Sequence, residues 1–245
     1  MTLSVEKRKW LFGVNAFSAW FGLGMSVVIE LFGLVHYDQP TTPVPHSQFG
    51  YFGHYADGLA GGPARLLDLF SYFTIWSQVV VGVVATLLFL NPGRDSKRLR
   101  IFRLDSLLMI AVTGIVYNVM IAPSYPPVGL NVYSSFFEHT LTPILTIVVF
   151  LLVGPRSWIN LKTFGMALVL PIVYVIYTLL RGAVIDMYPY DFFDVVQHGY
   201  ASVLEFVGFI LLAAVVLMAL FWGLERFLPQ GTDSSDGSDN ESLYL

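Results

Sequence analysis

The stretch FFEHTLTPILTIVVFLLV, residues 136–153, decides the fold class. Its second half is almost unbroken apolar sequence. Taken with the residues before it, it forms a run over roughly 132–153, long enough for a helix to cross a bilayer core about 30 Å thick. Its first half carries Glu138, His139, Thr140, Thr142 and Pro143. An ionisable group at the centre of a membrane helix costs about 2.5–3.5 kcal/mol on insertion scales, so such groups turn toward the protein interior and are functional candidates by default.

Five further apolar runs of similar length flank this one, at roughly 10–35, 66–90, 102–122, 163–181 and 200–226. The chain of 245 residues is 56% hydrophobic and 12% charged, against roughly 25% charged for a soluble domain. The expected fold is therefore an all-α integral membrane protein of six transmembrane helices spanning residues 1–228. The first run follows the basic stretch VEKRKW but is too long for the apolar core of a secretory signal, about 7–15 residues, and no A-x-A site ends it, so it is expected to stay as helix 1. Zero cysteines exclude disulfides, thiolate metal sites and a cysteine nucleophile.

Orientation follows from the cations. Lys7, Arg8, Lys9, Arg94, Lys97, Arg98, Arg100, Arg103, Arg156, Lys162 and Arg226 fall at one side, and only Arg65 and Arg181 at the other. The positive-inside rule then places both termini in the cytoplasm. The acidic tail, residues 229–245, is polar and lacks a helical pattern, and is expected to be disordered. The loop at about 36–65 is extracytoplasmic on this count. It reads either as a mobile loop or as a gate over a site.

Topology sorts the polar residues. All five histidines (His36, His46, His54, His139 and His198) fall in the outer half or its loops, with most of the carboxylates. Counting 1.5 Å per residue from the outer ends, Thr74 in the second helix lies roughly 13 Å deep and His139 in the fourth roughly 12 Å. Asp68, Ser71, Thr74 and Gln78 share one face of a continuous second helix. Ser134, Ser135, Glu138, His139, Thr142 and Thr146 share one face of the fourth. Pro143 has no N–H for the carbonyl of His139 and should kink its helix there; Pro171 does the same in the fifth. Glu138 points about 100° away from His139 and has Arg181 as a candidate partner.

The windows LFSYFTIWSQVVVGV (69–83), FFEHTLTPILTIVVFLLVGPR (136–156) and YVIYTLLRGAVIDMYPYDFFDV (174–195) resemble the androgen-induced-gene and androgen-dependent TFPI-regulating protein family, most closely its bacterial six-helix branch. The resemblance covers roughly residues 66–200. It implies a multi-pass hydrolase of lipid esters, in the family esters of hydroxy fatty acids, with a threonine nucleophile that falls on Thr74 and a histidine that falls on His139. It also implies a bacterial cell membrane; the topology count puts the site toward the extracytoplasmic side.

On that reading His139 activates Thr74, and Asn118 or Gln78 supplies an oxyanion donor or merely joins helices; Ser71, Glu138 and Arg181 are supporting candidates. The partner is a membrane lipid or acyl ester; no cofactor, resident metal or nucleic acid is expected. Two other readings use the same residues. One is a metal-dependent hydrolase built on His46, His54, His139, His198 and outer carboxylates, although no HExxH spacing appears. The other is a transporter or lipid-binding protein with a buried polar network of His139, Glu138, Arg181 and Glu205.

Overall fold

Ser4 opens the first helix by accepting the Lys7 amide at 3.4 Å, and α1 runs over Val5–Phe32 to Gly33, which closes it at φ 61°. The computed structural model describes residues 3–35 and 55–228. Most of the expected outer loop, with His36, His46 and His54, and the expected disordered tail lie outside the described residues. After the loop come α2 (Gly62–Leu69), started by a proline in its first turn, and α3 (Phe73–Leu90). Ser96 caps α4 (Lys97–Val116), which continues into a π-turn at Tyr117–Ile121. Next, α5 (Asn131–Phe136) passes through a second π-turn, Phe137–Leu141, into α6 (Thr142–Val153). The chain ends with α7 (Leu161–Met166), α8 (Val169–Ile185) and α9 (Val195–Phe227), the last capped by Asp194. Six of these segments are long and apolar enough to cross a membrane, and no strand occurs among the described residues. The protein is an all-α integral membrane protein.

Two of the expected helices are interrupted, the fifth at the kink expected from Pro171. The fifth breaks at Ala167–Leu168, where Pro171 removes the N–H that the Ala167 carbonyl would have met, and the ladder resumes when the Ile172 amide reaches Leu168 at 3.1 Å. The second breaks at residues 70–72 without a proline. There the exposed main-chain groups find aromatic partners: Trp76 Nε1 donates to the Phe70 carbonyl at 2.9 Å, the Tyr174 hydroxyl to the Ser71 carbonyl at 3.0 Å, and the Phe73 amide to the Tyr190 hydroxyl at 3.0 Å. The depth count for Thr74 and the single polar face from Asp68 to Gln78 both assumed one continuous helix; Asp68, Ser71, Thr74 and Gln78 are all buried, but they come from two helices and the break between them. Thr74 instead occupies the first turn of a new helix.

Helices α1, α3, α4 and α6 pack as a central group. Close approach depends on glycine. A Cβ on Gly82 would stand 2.6 Å from the Trp20 ring, and one on Gly114 would stand 3.0 Å from Pro143. Inside the group, hydroxyls pair because lipid offers them no alternative: Ser18 with Thr142 at 2.7 Å, Ser77 with Thr113 at 2.9 Å, and Thr146 donating to Asn15 at 3.0 Å. Helices α8 and α9 lie outside, with fewer of their residues buried. Phe17, Val119, Leu180, Val184 and Phe227 are exposed, as a lipid-facing surface requires.

The connection 186–194 is pinned by Tyr188, whose buried ring lies against Gly182 so closely that a Cβ there would fall 1.9 Å from a ring carbon. Gly182→Ala is therefore expected to displace Tyr188 and to destabilise the protein by about 1–3 kcal/mol, the usual cost of overpacking. A lowered thermal midpoint in detergent, followed by tryptophan fluorescence, would register it.

Candidate active site

The peptide around His139 owes its geometry to Pro143. In the π-turn the Thr142 amide reaches back five residues to Phe137. In that register the Glu138 carbonyl would look to residue 143, and in the α register that follows so would the His139 carbonyl. Proline can serve neither. Gln78 Nε2 donates to the Glu138 carbonyl at 2.9 Å and Asn118 Nδ2 to the His139 carbonyl at 2.8 Å. Asn118 Nδ2 also donates to the Gly114 carbonyl at 2.8 Å. The two candidate oxyanion donors thus stand as supports, holding the turn that carries the histidine.

That turn aims His139 at Thr74. The Thr74 hydroxyl and His139 Nε2 are 3.1 Å apart, a hydrogen bond between residues 65 positions apart in sequence. On the far side of the ring, Nδ1 lies 3.1 Å from the Ser135 carbonyl and 3.0 Å from its hydroxyl. A carbonyl only accepts, so the bond to it places the proton on Nδ1 and leaves Nε2 to accept from Thr74. Tyr117 stacks on the imidazole with centroids 3.5 Å apart and planes 14° from parallel. Its hydroxyl accepts from Ser135 at 2.7 Å, so one residue ties both rings in place. Ser135, already on the polar face read from sequence, and Tyr117, which gave no signal there, are thus the groups that orient the histidine.

The other supporting candidates lie elsewhere. Glu138 does not pair with Arg181. It is buried and accepts from Ser26 at 2.7 Å, because its direction around the helix faces α1 rather than α8. Arg181 instead meets the buried Asp68, which also accepts from Tyr55. Ser71 is buried in the helix break and donates to the Asp68 carbonyl at 2.6 Å. These three hold the frame around the Thr74–His139 pair without touching it.

Thr74 stands where two cavities meet. One is a wide vestibule of about 1020 Å³ that includes Glu30, Asn131, His139, Asp191 and Ser202. The other is a narrow cavity of about 70 Å³ between α4, α8 and α9, lined by apolar groups such as Leu108, Val112, Val207 and Leu211. Thr74, Tyr117, Ile121, Tyr190 and Phe192 line both. The loose seating of α8 and α9 against the central group is what leaves the second space open.

Comparison of the chain with family models, with curated proteins and with solved structures returns no match. The local chemistry adds one further residue. Tyr190, in the connection before α9, accepts the Phe73 amide, and its hydroxyl also faces the Thr74 side chain and amide. Burial pushes the Tyr190 phenol up to about 12, so at neutral pH it keeps its proton and can donate. Tyr190 lies within the quoted window 174–195, but it belongs to no periodic element and the sequence reading does not single it out as a site residue. Among the described residues no three His, Asp or Glu side chains converge as a metal site would need, and His198 lies 3.4 Å from Asp191 at the vestibule wall.

Proposed function

We propose that the protein hydrolyses long-chain acyl esters within the membrane, with Thr74 as nucleophile and His139 as general base. The observation that carries this reading is the 3.1 Å contact between the Thr74 hydroxyl and His139 Nε2, placed where a wide vestibule with some polar groups in its wall meets a narrow apolar slot. Such a junction suits an ester whose acyl chain lies among apolar side chains while its alcohol part stays near water. The quoted motifs support membership of the androgen-induced-gene family. The distribution of Lys and Arg supports cytoplasmic termini and a site at the extracytoplasmic side, and the resemblance to the bacterial branch supports a bacterial cell membrane.

In the first half-reaction the Thr74 oxygen attacks the acyl carbon and its proton passes to His139 Nε2. The tetrahedral intermediate collapses by breaking the bond to the alcohol oxygen, which takes that proton and leaves as the free alcohol. In the second, His139 deprotonates a water, whose oxygen attacks the acyl-threonine. The Thr74 oxygen leaves and is reprotonated, and the fatty acid departs. Charge on the carbonyl oxygen needs fixed donors. The Tyr190 hydroxyl and the Thr74 amide, in the first turn of α3 where helix amides lack intrahelical acceptors, are the nearest groups of that kind. Tyr190→Phe is accordingly expected to cut kcat by about 10²-fold, the scale of one lost oxyanion donor.

A fluorophosphonate probe on purified protein in detergent tests the assignment. Wild type is expected to be labelled with the adduct on Thr74 by peptide mass spectrometry, and Thr74→Val, which keeps the shape but not the hydroxyl, is expected to be neither labelled nor active. Labelling that persists in Thr74→Val, or is absent from wild type, would overturn the reading.

A further inference from the structure

The end of the bundle remote from the Thr74–His139 pair carries a charged cluster of its own. Helix α4 starts there at Lys97 and leads to Tyr117, which stacks on His139. The cations at that end are of two kinds. Lys7, Lys9, Lys97 and Arg98 are exposed, and Arg100 pairs with Asp95 at 2.7 Å. Arg103, on α4, is only 4% exposed and lies 6.0 Å from the centroid of the buried Phe12 ring.

Among the described residues, Arg103 meets no acceptor for its Nε or its Nη2. Asp105, two residues along α4, is buried about 200° round the helix and cannot serve it. Glu225, on α9, acts through space on both Arg103 and Arg156. Its oxygens, however, accept the Trp158 and Ile159 amides at 3.2 and 3.0 Å. The other charges acting on Arg103 and Arg156 are cationic: these two act on each other, and Arg8 from α1 acts on Arg156. Arg156 is folded inward by donating to two carbonyls near the end of α6, Phe150 at 2.5 Å and Leu151 at 2.7 Å, while its Nε also meets no acceptor among the described residues.

Arg103 and Arg156 thus share one carboxylate, and its oxygens are taken by the main chain. A topology signal needs only cations in the connecting segments, and exposed lysines supply it. Burying a guanidinium with N–H groups unmet is costly, and an anion in hydrogen-bonding reach would offset that cost. Phosphate brings negative charge and several acceptor oxygens, in a geometry that fits the planar fork of arginine. Basic pockets between membrane helices receive anionic headgroups in this way. We infer that Arg103 and Arg156, with Arg8 beside them, form a binding site for a phosphate group, carried on a lipid headgroup or free in solution. The site is separate from the Thr74–His139 pair and does not depend on the hydrolase reading.

Thermal unfolding of full-length, delipidated protein in dodecyl maltoside is the test. Dioleoyl phosphatidylglycerol is expected to raise the midpoint by at least about 3 °C, and dioleoylglycerol, which lacks the phosphate, to leave it unchanged. Inorganic phosphate, compared with chloride at equal ionic strength, separates the two sources. A rise with the lipid alone assigns the site to a headgroup, and a rise with phosphate alone assigns it to a soluble phosphate. Arg103→Leu is expected to need at least about tenfold more ligand for the same rise, the scale of one lost hydrogen bond to a charged group. Lipid held only by the exposed lysines would act equally on both proteins. No rise with either phosphate source, or an equal response in wild type and Arg103→Leu, would overturn the inference. Native mass spectrometry of Arg156→Gln gives a reading that does not require Arg103→Leu to fold. Its retention of phosphatidylglycerol is expected to fall at least about tenfold below wild type, and equal retention would overturn the site.

Discussion

His139→Gln protein is expected to hydrolyse a long-chain acyl ester at least about 10³-fold more slowly than wild type, within the range general-base catalysis supplies. Threonine is a weak nucleophile, and His139 Nε2, 3.1 Å from its hydroxyl, is the acceptor placed to take its proton, whereas the nearby Tyr190 is itself a protonated phenol. Glutamine roughly preserves the volume and can still hydrogen-bond, so the stack under Tyr117 is altered but no charge is buried. The measurement is kcat on purified protein, with circular dichroism and the thermal midpoint as controls for folding. His139→Ala supplies the companion test, since added imidazole should restore part of its activity, which a structural histidine would not allow. Turnover within threefold of wild type in both variants would remove His139 from the chemistry. Ser135→Ala is a milder case: the carbonyl that fixes the tautomer stays, and only the hydroxyl link to Tyr117 is lost.

The sequence made the six spans legible because each is an apolar run bounded by polar or basic residues, and a bilayer leaves a chain few other solutions. It also put Thr74 and His139 at the same end of the bundle, through a count that treated the second helix as continuous. The break at residues 70–72 invalidates that count, and the two side chains still meet. The break was not legible because Phe70, Ser71 and Tyr72 are compatible with a helix. What ends it are hydrogen bonds from Trp76, Tyr174 and Tyr190, two of them more than a hundred residues away. Pro143 announced a kink; the π-turn could not be read, since it depends on Gln78 and Asn118 arriving to take the Glu138 and His139 carbonyls. Tyr117 looked like one more aromatic residue in an apolar run. Its role exists only once the imidazole is stacked on it.

Arg181→Leu is expected to destabilise the protein by about 3–5 kcal/mol, because it leaves the buried Asp68 carboxylate without its cation. The two side chains are 11% and 1% exposed, so water cannot readily replace the lost partner. Tyr55 would still donate to Asp68, which offsets part of the cost but brings no charge. The double variant Asp68→Leu/Arg181→Leu should recover most of the loss, since replacing a buried ion pair by packed apolar groups is often close to neutral. Unfolding in mixed detergent micelles containing SDS provides the measurement for wild type, both single variants and the double variant. Coupling near zero would mean that the pair is solvated and that α2 and α8 are joined by packing alone. Activity should follow a different order. Asp68 lies just before the break that starts α3 at Phe73, and Arg181 is fixed to it from α8, whose Tyr174 supports the Ser71 carbonyl in the same break. The double variant is thus expected to regain stability without regaining full turnover, because an apolar pair cannot hold the approach to Thr74 in one register as the directed ion pair does.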